Sequence, residues 1–320
     1  MGEMRFDGRV ALVTGAANGL GRAYARLLAS RGARVVVNDV GAGLDGTGAS
    51  DLPAKKAVEE IQAAGGDAVA DTHSVGERDG ATAAVQAALD AFGRIDIVVN
   101  NAGYGFSCPF AQYPTERFQK IVEVSFMGSV WVSQAAWPHL QKARYGRIVN
   151  TSSASVYGLD GMTPYSSAKA AILGLTHTLA IEGAPYGIKC NAISPSAATR
   201  GVAAFPESEM RRFLMDYLPP ERAAVAAGYL AHEDCAITGE CLVSGGGRIS
   251  RMFIGQSHGH VDPNITIEGL RDNLPKIMDT ARFEILKSNT EAIQFCATQL
   301  GFEGADRLFF AFNTQSADHR

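Results

Sequence analysis

The 320-residue sequence lacks an excess of positive charge, which weighs against nucleic acid as a partner. Its 29 lysines and arginines are outnumbered by 33 aspartates and glutamates, so the formal net charge is −4 at pH 7. Proteins that neutralise the phosphates of DNA or RNA carry a surplus of basic side chains. We therefore expect no nucleic-acid partner.

Long apolar runs and recognisable targeting segments are also missing. No stretch reaches the ~18 apolar residues that a helix needs to cross a bilayer. The N-terminal residues include Glu3 and Asp7 and do not resemble a signal peptide. The residues from Ala317 to Arg320 do not form a Ser-Lys-Leu peroxisomal signal. We expect a cytoplasmic protein with no membrane partner.

Cysteine is scarce and scattered. The five cysteines are Cys108, Cys190, Cys235, Cys241 and Cys296. They form no Cys-x-x-Cys pair, and no histidine stands at zinc-ligand spacing from any of them. We expect reduced thiols, as in cytosolic proteins, and no metal site.

Hydrophobic residues make up 46% of the chain and charged residues 19%, as in a globular protein with a substantial core.

Short β-branched runs alternate with alanine-rich stretches. The predicted strands are Val10–Thr14, Arg34–Asn38, Asp67–Asp71, Ile95–Asn100, Arg147–Thr151, Ile188–Ser194 and Cys241–Ser244. The predicted helices are Gly19–Ser30, Ala54–Ala64, Ala81–Ala91, Glu116–Gln141 and Ser166–Ala184. This alternation predicts an α/β fold with a doubly wound, seven-stranded parallel sheet in residues 1–255. We expect residues 256–320 to form a mainly helical C-terminal extension.

A glycine-rich turn follows the first predicted strand and precedes the first predicted helix. It reads Thr14-Gly-Ala-Ala-Asn-Gly-Leu-Gly21 and includes Gly15, Asn18, Gly19 and Leu20. Backbone N–H groups at a helix N-terminus bind phosphate, and glycines let the phosphate approach closely. We interpret the turn as a pyrophosphate site; the alternative is a turn that serves packing alone.

Asp39 ends the second predicted strand, close to the ~20 residues beyond the glycine turn at which an acid binds the adenosine ribose. A carboxylate there repels a 2′-phosphate, and no arginine or lysine occupies Asn38, Val40 or Gly41 to receive one. The sequence therefore favours NAD over NADP as the cofactor. The alternative is that Asp39 only forms a turn with the following glycines.

Tyr165 and Lys169 stand four residues apart, which places both side chains on one face of a predicted helix. A phenol has a pKa near ~10, and we expect the neighbouring ammonium group of Lys169 to lower the pKa of Tyr165. Such a pair can exchange a proton with an alcohol or a ketone. Upstream, serines follow the fifth strand in the segment from Asn150 to Ser155, where a hydroxyl could orient the substrate oxygen or cap a turn.

With these residues in view, the chain resembles the short-chain dehydrogenase/reductase family over residues 6–250. The matching motifs are Thr14-Gly15…Gly19-x-Gly21, Asn100-Asn-Ala-Gly103, the serines after strand five, Tyr165-x-x-x-Lys169, and Asn191-Ala-Ile-Ser-Pro195…Thr199. The resemblance implies a Rossmann-type fold and an oxidoreductase. It implies catalytic roles for Ser153, Tyr165 and Lys169. The further cofactor contacts that it implies are Ser74, Val75, Asn101, Ala102, Gly103, Tyr165, Lys169, Pro195 and Thr199.

A narrower resemblance lies in Val37-Asn-Asp-Val-Gly41, Thr151-Ser-Ser-Ala-Ser155 and Ala135-Ala-Trp-Pro138. These segments look like the dehydrogenase part of peroxisomal multifunctional β-oxidation enzymes and their bacterial relatives. That subgroup implies a (3R)-hydroxyacyl-CoA thioester or a hydroxysteroid as the substrate. The resemblance also implies a homodimer or homotetramer.

Three positions depart from the family pattern. Ser125 occupies the place of the asparagine in the family's proton relay. Serine is shorter than asparagine and has no amide, so either a water molecule takes the place of the amide or the relay differs. Ser153 lies one residue closer to Tyr165 than the family spacing, whereas Ser152 has the usual spacing but the opposite strand face; we prefer Ser153. His73 replaces the aspartate that contacts adenine, and it either covers the base or is a surface residue.

The segment Ser196–Arg222 follows the sixth strand and is rich in apolar residues. Its large apolar side chains are Phe205, Phe213, Met215 and Tyr217. They suit either a lid over a bulky apolar alcohol or ketone, or an ordinary helix core. Its arginines, Arg211, Arg212 and Arg222, either meet CoA phosphates or face solvent. The competing function is a non-catalytic NAD-binding or regulatory protein on the same fold, for which Ser125 is the supporting residue.

Overall fold

The computed structural model describes residues 2–203 and 206–309. Its chain forms two compact units, Met1–Met252 and Phe253–Arg320. The predicted lid residue Phe205 lies outside the described residues. In the part of the chain that the structure describes, no helix has the length and apolarity to cross a membrane.

The first unit is built on one sheet in the order β3-β2-β1-β4-β5-β6-β7-β8. The strands are β1 Val10–Thr14, β2 Arg34–Asn38, β3 Asp67–Asp71, β4 Ile97–Asn100, β5 Gly146–Thr151, β6 Ile188–Pro195, β7 Cys241–Gly245 and β8 Arg248–Met252. The first seven are parallel, which confirms the predicted doubly wound α/β fold. The predicted number of strands is wrong by one.

The additional strand, β8, runs antiparallel to β7. The two are joined by Gly246 and Gly247, whose φ angles are 62° and 92°. Two successive residues with positive φ form the tight hairpin turn that matches the twist of paired strands, and glycine adopts this conformation without strain. The chain therefore turns back on itself at the sheet edge after the last parallel strand.

Helices cover both faces of the sheet. They are α1 Gly19–Ser30, α2 Leu52–Ala63, α3 Arg78–Phe92, α4 Thr115–Val122, α5 Gly128–Ala143, α6 Thr163–Gly183, α7 Arg200–Ala203, α8 Glu209–Tyr217 and α9 Pro220–Ala231. The sheet has a hydrophobic core on each face, and successive residues of a strand pack into one core and then the other, because side chains alternate along a strand. Val35 and Val37 pack with α1, α2 and α9, whereas Val36 packs with α3, α5 and α6. This burial on both faces explains the continuous apolar strands.

The predicted helix Glu116–Gln141 is interrupted in the structure. A π-helical turn, Glu123–Met127, separates α4 from α5 and contains Ser125. Such turns insert one extra residue per turn and occur often at functional sites. The helix geometry therefore changes locally around Ser125, which is also the residue that replaces the asparagine of the family pattern.

Up to residue 309, the second unit contains a two-stranded antiparallel sheet, three short α-helices and the 3₁₀ helix Ala305–Arg307. Its elements are β9 Gln256–Ser257, α10 Ile267–Asp272, α11 Leu274–Ile277, β10 Phe283–Glu284 and α12 Asn289–Gln299. Phe253 stacks on Phe283, with ring centroids 5.7 Å apart. Thr266 and Ser288 cap α10 and α12 through their side-chain hydroxyls, which explains where these helices begin.

Candidate active site

The glycine turn lies between β1 and α1, and its geometry requires glycine. Gly15 and Gly19 have φ angles of 62° and 53°. A Cβ on Gly15 would lie 2.9 Å from Ala102 Cα. A Cβ on Gly21 would overlap the Gly15 carbonyl and lie 2.6 Å from Asn101 Nδ2. Because these glycines have no Cβ, the first turn of α1 can pack closely against the carboxyl ends of β1 and β4.

The N-terminus of α1 is open to an anion. Asn18 occupies the N-cap position with no side-chain capping bond, and the first turn, which includes Leu20, contains no acidic residue. The N–H groups of the first helical turn have no partner within the helix, and the helix dipole favours negative charge there. The turn therefore fits the pyrophosphate of a dinucleotide, which Gly15, Asn18, Gly19 and Leu20 would hold.

The segment after β4 fastens this turn in place. Thr14 Oγ1 accepts hydrogen bonds from the backbone N–H groups of Asn101 and Ala102, each at 3.0 Å. Asn101 Nδ2 donates to the carbonyls of Thr14 and Gly15 at 3.0 and 3.1 Å. Asn101 and Ala102 therefore border the glycine turn and hold its shape.

Asp39 links the glycine turn to the loop after β2. Its Oδ2 accepts from the Ala17 N–H at 2.9 Å, and its Oδ1 accepts from the Gly41 N–H at 2.8 Å. A carboxylate has about four acceptor sites, so two remain for ribose hydroxyls. The turn-forming and ribose-binding interpretations of Asp39 are thus compatible with each other.

Ser74 and Val75 follow β3 and differ in surroundings. Val75 is buried, and its carbonyl oxygen would lie 3.0 Å from a Cβ on Gly128. Ser74 is partly buried, and its carbonyl accepts from the Glu77 N–H at 3.2 Å. His73 is exposed at the same sheet edge.

Tyr165 and Ser153 interact at the carboxyl end of β5. Burial raises the pKa of Tyr165 above its usual 10, and a hydrogen bond with the Ser153 hydroxyl opposes this rise. The sequence-based expectation that Lys169 lowers the pKa of Tyr165 is therefore wrong for this structure. The cause of the rise is burial of the phenol, and Lys169 Nζ, 5.7 Å from the Tyr165 ring centroid, donates its hydrogen bond to the Thr151 carbonyl at 2.7 Å.

Lys169 is itself perturbed by its surroundings. The side chain lies on α6 and is buried. Desolvation lowers the pKa of Lys169 from 10.5 to about 8. An amine whose pKa lies this close to neutral pH can donate a hydrogen bond as the ammonium group and can also take part in proton transfer.

The two candidate serines point in different directions. Ser152 is buried, and its hydroxyl donates to the Lys169 carbonyl at 2.8 Å. The Ser153 hydroxyl accepts from the Ser155 N–H at 3.1 Å and so caps the short 3₁₀ turn Ala154–Tyr157, in addition to its bond with Tyr165. Ser153 therefore both caps the turn and faces Tyr165.

Ser125 lies close to the other candidate catalytic residues. It is buried in the π-helical turn, and its hydroxyl donates to the Tyr104 carbonyl at 3.4 Å. A Cβ on Gly103 would lie 3.1 Å from Ser125 Oγ and 3.3 Å from Lys169 Nζ. Gly103 thus lies between the hydroxyl of Ser125 and the ammonium group of Lys169.

Pro195 and Thr199 bring the exit of β6 to the glycine turn. Pro195 ends β6 and pairs in register with Ser244 of β7. A Cβ on Gly19 would lie 3.6 Å from the Thr199 methyl group. The segment after β6 therefore passes next to the proposed pyrophosphate site.

The wall beside Tyr165 contains residues that sequence reasoning missed. A Cβ on Gly105 would lie 3.6 Å from Tyr165 Cγ and would overlap the end of Met162. Tyr157 and Leu159, which follow the Ser153 turn, are exposed. Their proximity to the strand-five serines and to Tyr165 along the chain is the signal that could have indicated them.

The segment after β6 presents apolar side chains to solvent. Met210, Phe213, Met215 and Tyr217 of α8 are all exposed, and Phe213 stacks on Tyr217 with ring centroids 5.7 Å apart. Exposure favours the lid over the helix-core interpretation. Arg211 and Arg212 form ion pairs with Glu207 and Glu209 of the same segment.

No candidate metal centre accompanies these residues. Within residues 2–203 and 206–309, no group of three or more histidine, cysteine, aspartate or glutamate side chains is arranged to hold a metal ion.

Comparisons with known proteins agree on one family. The model of the short chain dehydrogenase family matches residues 9–207. The chain is 44% identical over 283 residues to peroxisomal multifunctional enzyme type 2 of Mus musculus, covering 86% of this chain and 37% of that enzyme. It therefore spans little more than a third of that relative.

Two solved structures are similar along most of the chain. A short chain dehydrogenase from Mycobacterium avium is 38% identical with a TM-score of 0.73, covering 85% of this chain and 96% of that one. The 7α-hydroxysteroid dehydrogenase complexed with NADH and 7-oxo glycochenodeoxycholic acid is 29% identical with a TM-score of 0.68. That match covers 76% of this chain and 95% of the other.

Proposed function

Because this chain belongs to the short-chain dehydrogenase family and is thus an oxidoreductase, we propose that it interconverts a secondary alcohol and a ketone with NAD as its cofactor. The observation that carries the proposal is the grouping of Ser153, Tyr165 and Lys169 around the carboxyl end of β5. This edge of a parallel sheet is where α/β proteins bind ligands. The glycine turn of β1 opens on the same edge.

In the proposed reaction, Tyr165 carries the proton. The Ser153 hydroxyl orients the substrate oxygen toward Tyr165, whose phenolate form takes the hydroxyl proton in oxidation and whose phenol form gives it back in reduction. When bound, the nicotinamide supplies the hydride acceptor or donor. Burial, which raises the pKa of Tyr165, favours the phenol form that acts as the acid toward a ketone. Lys169 and Ser125, on either side of Gly103, would support the proton transfer.

NAD is proposed over NADP because of Asp39. Its carboxylate stands between the glycine turn and Gly41, where it would bind ribose hydroxyls and repel a 2′-phosphate. No arginine or lysine occupies the neighbouring positions Asn38 and Val40.

The proposed substrate is a bulky alcohol or ketone of the hydroxyacyl-CoA or hydroxysteroid class. The exposed apolar side chains of α8 and of the turn after Ser153 support it. Similarity to the 7α-hydroxysteroid dehydrogenase supports the hydroxysteroid class, and the resemblance of the segments 37–41, 135–138 and 151–155 to multifunctional β-oxidation enzymes supports the hydroxyacyl-CoA class. Arg211 and Arg212 do not distinguish them, because both already form ion pairs. We propose a homodimer or homotetramer as the assembly.

The proposal is tested by following reduced-nicotinamide absorbance with NAD or NADP against a panel of alcohols. The panel contains (3R)-hydroxyacyl-CoA thioesters, hydroxysteroids and small secondary alcohols. We expect NAD-dependent turnover on one of the two bulky classes and little with NADP. Binding of NADH without turnover on any compound would favour the non-catalytic alternative, and absence of NADH binding would overturn the cofactor proposal.

A further inference from the structure

The loop of residues 41–50, between β2 and α2, is closed at its base. The Ser50 N–H donates to the Val40 carbonyl at 2.9 Å. Gly41 has a φ of 68° and lies so close to Ser50 that a Cβ on Gly41 would overlap the Ser50 carbonyl. Within the loop, the Gly43 N–H donates to the Thr47 carbonyl at 2.8 Å. A loop whose ends meet and whose interior is hydrogen-bonded is a compact unit of the kind often used for function.

The tip of this loop packs on the aromatic ring of Tyr104. Gly46 has a φ of 77° and is partly buried, whereas its neighbours Asp45 and Thr47 are exposed. A Cβ on Gly46 would overlap the Tyr104 ring, with two of the ring carbons at 2.5 and 2.8 Å. The main chain of Gly46 therefore lies directly on the ring, and a residue with a side chain does not fit at this contact.

Charge also draws the tip toward α4. The Asp45 carboxylate accepts from the Thr47 hydroxyl at 2.7 Å and from the Thr47 N–H at 3.1 Å. These hydrogen bonds lower the pKa of Asp45, and the positive charge of Arg117 on α4 lowers it further. Arg117 itself lies 4.0 Å above the centre of the Phe106 ring. The loop tip thus interacts with two parts of the chain that follow β4.

The contact between Gly46 and Tyr104 bridges the end of β1. The loop follows β2, Tyr104 follows β4, and β1 lies between these two strands in the sheet. Adjacent strands lie ~4.8 Å apart, so the bridge spans about 10 Å. The glycine turn leaves β1 at the same edge of the sheet. The loop and the Tyr104 ring therefore form a strap, residues 41–50 with Tyr104, beside the place proposed for the pyrophosphate.

We propose that this strap closes over the bound dinucleotide, and that Gly46 must separate from Tyr104 before the dinucleotide can leave. The inference rests on the dinucleotide binding of the proposed function. Loops that close over a ligand shield it from water, and their opening often limits the rate of release. Tyr104 acts here as a positioning residue, because its ring holds the loop tip while its carbonyl accepts from the Ser125 hydroxyl at 3.4 Å.

Two glycines of the loop provide a matched pair of variants. Gly46 and Gly48 both have a φ of 77°, so an alanine brings similar backbone strain to either position. A Cβ on Gly48 has no atom within 4 Å, whereas a Cβ on Gly46 overlaps the Tyr104 ring. Only Gly46→Ala therefore separates the loop from Tyr104.

The test is the rate at which NADH dissociates. Protein loaded with NADH is mixed with excess NAD in a stopped-flow instrument, and the loss of NADH fluorescence is followed. We expect Gly46→Ala to raise the dissociation rate about three- to tenfold, which is the effect of losing one small apolar contact. Gly48→Ala should stay within about twofold of the wild type. An unchanged rate in Gly46→Ala, or equal acceleration in both variants, would overturn the strap.

Variants of Tyr104 test the same contact from the other side. Tyr104→Ala removes the ring and should accelerate NADH release as Gly46→Ala does, whereas Tyr104→Phe keeps the ring and should not. Circular dichroism and Tm confirm that each variant is folded. Equal acceleration by Tyr104→Phe and Tyr104→Ala would show that the ring contact is not what retains the dinucleotide.

Hydrogen–deuterium exchange observes the strap without any turnover. We expect NADH to slow exchange of the amides of residues 41–50 in the wild type and in Gly48→Ala, and much less in Gly46→Ala. A loop whose exchange does not respond to NADH would overturn the strap and leave the proposed function intact. A protein that binds no NADH would overturn the proposed function, and the strap with it.

Discussion

Replacing Lys169 with methionine removes a buried ammonium group, and the effect on stability depends on pH in a calculable way. Desolvation lowers the pKa of Lys169 from 10.5 to about 8 in the folded protein. At about 1.4 kcal/mol per pKa unit, burying this charge at pH 7 costs about 3 kcal/mol. The methionine variant avoids that cost but leaves the Thr151 carbonyl without its 2.7 Å hydrogen bond, a loss of about 1–3 kcal/mol. The two contributions oppose each other at neutral pH.

Only the first contribution changes with pH. Between about pH 8 and 10.5, the unfolded lysine binds more protons than the folded one, so the wild-type protein gains stability as the pH rises. We therefore expect the free energy of unfolding of the wild type, relative to Lys169→Met, to rise by about 2 kcal/mol between pH 7 and pH 9.5.

The assay is urea unfolding followed by far-ultraviolet circular dichroism, without cofactor, at both pH values. Lys142→Met is the control, because Lys142 is exposed on α5 and its replacement should leave the difference between the two pH values unchanged. A difference between wild type and Lys169→Met that stays constant with pH would refute the argument that Lys169 is desolvated. Titration of other groups cancels in this comparison.

Three further predictions concern neighbouring side chains. Ser153→Ala should lower kcat by about a hundredfold or more and lose about 1 kcal/mol of stability with the cap of Ala154–Tyr157, whereas Ser152→Ala should lose about 1–2 kcal/mol of stability and keep kcat within a few-fold. The reverse pattern would exchange their roles. Asp39→Asn should tighten NADP binding about tenfold by removing the charge repulsion; an unchanged ratio of NAD to NADP affinity in titrations would contradict the assignment. Ser125→Ala should lower kcat about tenfold without changing NADH affinity, and normal turnover would exclude Ser125 from the proton path.

The parallel sheet was predictable from the sequence because its strands are buried on both faces. Arg34–Asn38 is an almost continuous valine run, which distinguishes a central parallel strand from a half-exposed one. The glycine turn was also predictable, since a close approach between α1 and the end of β4 tolerates no Cβ at Gly15 or Gly21. In such places the local pattern and the tertiary structure agree.

The remaining features depend on contacts that a sequence does not display. β8 is half-exposed at the sheet edge and has no continuous apolar run, so only the glycines at 246 and 247 indicated a turn. The π-helical turn around Ser125 leaves no mark on helical periodicity. The pKa of Tyr165 was predicted in the wrong direction because a spacing of four residues places Lys169 on the same face but does not show how deeply the phenol is buried. The orientation of Ser152 toward the Lys169 carbonyl likewise emerges only from packing.

The central claim is that Tyr165 carries the proton in a NAD-dependent oxidation or reduction. The most direct measurement compares wild type and Tyr165→Phe in two assays on the same preparations: NADH binding by fluorescence, and turnover on the best alcohol of the panel. We expect NADH affinity within about twofold and a kcat lowered by about a hundred- to ten-thousandfold. Turnover in Tyr165→Phe close to that of the wild type would contradict the account.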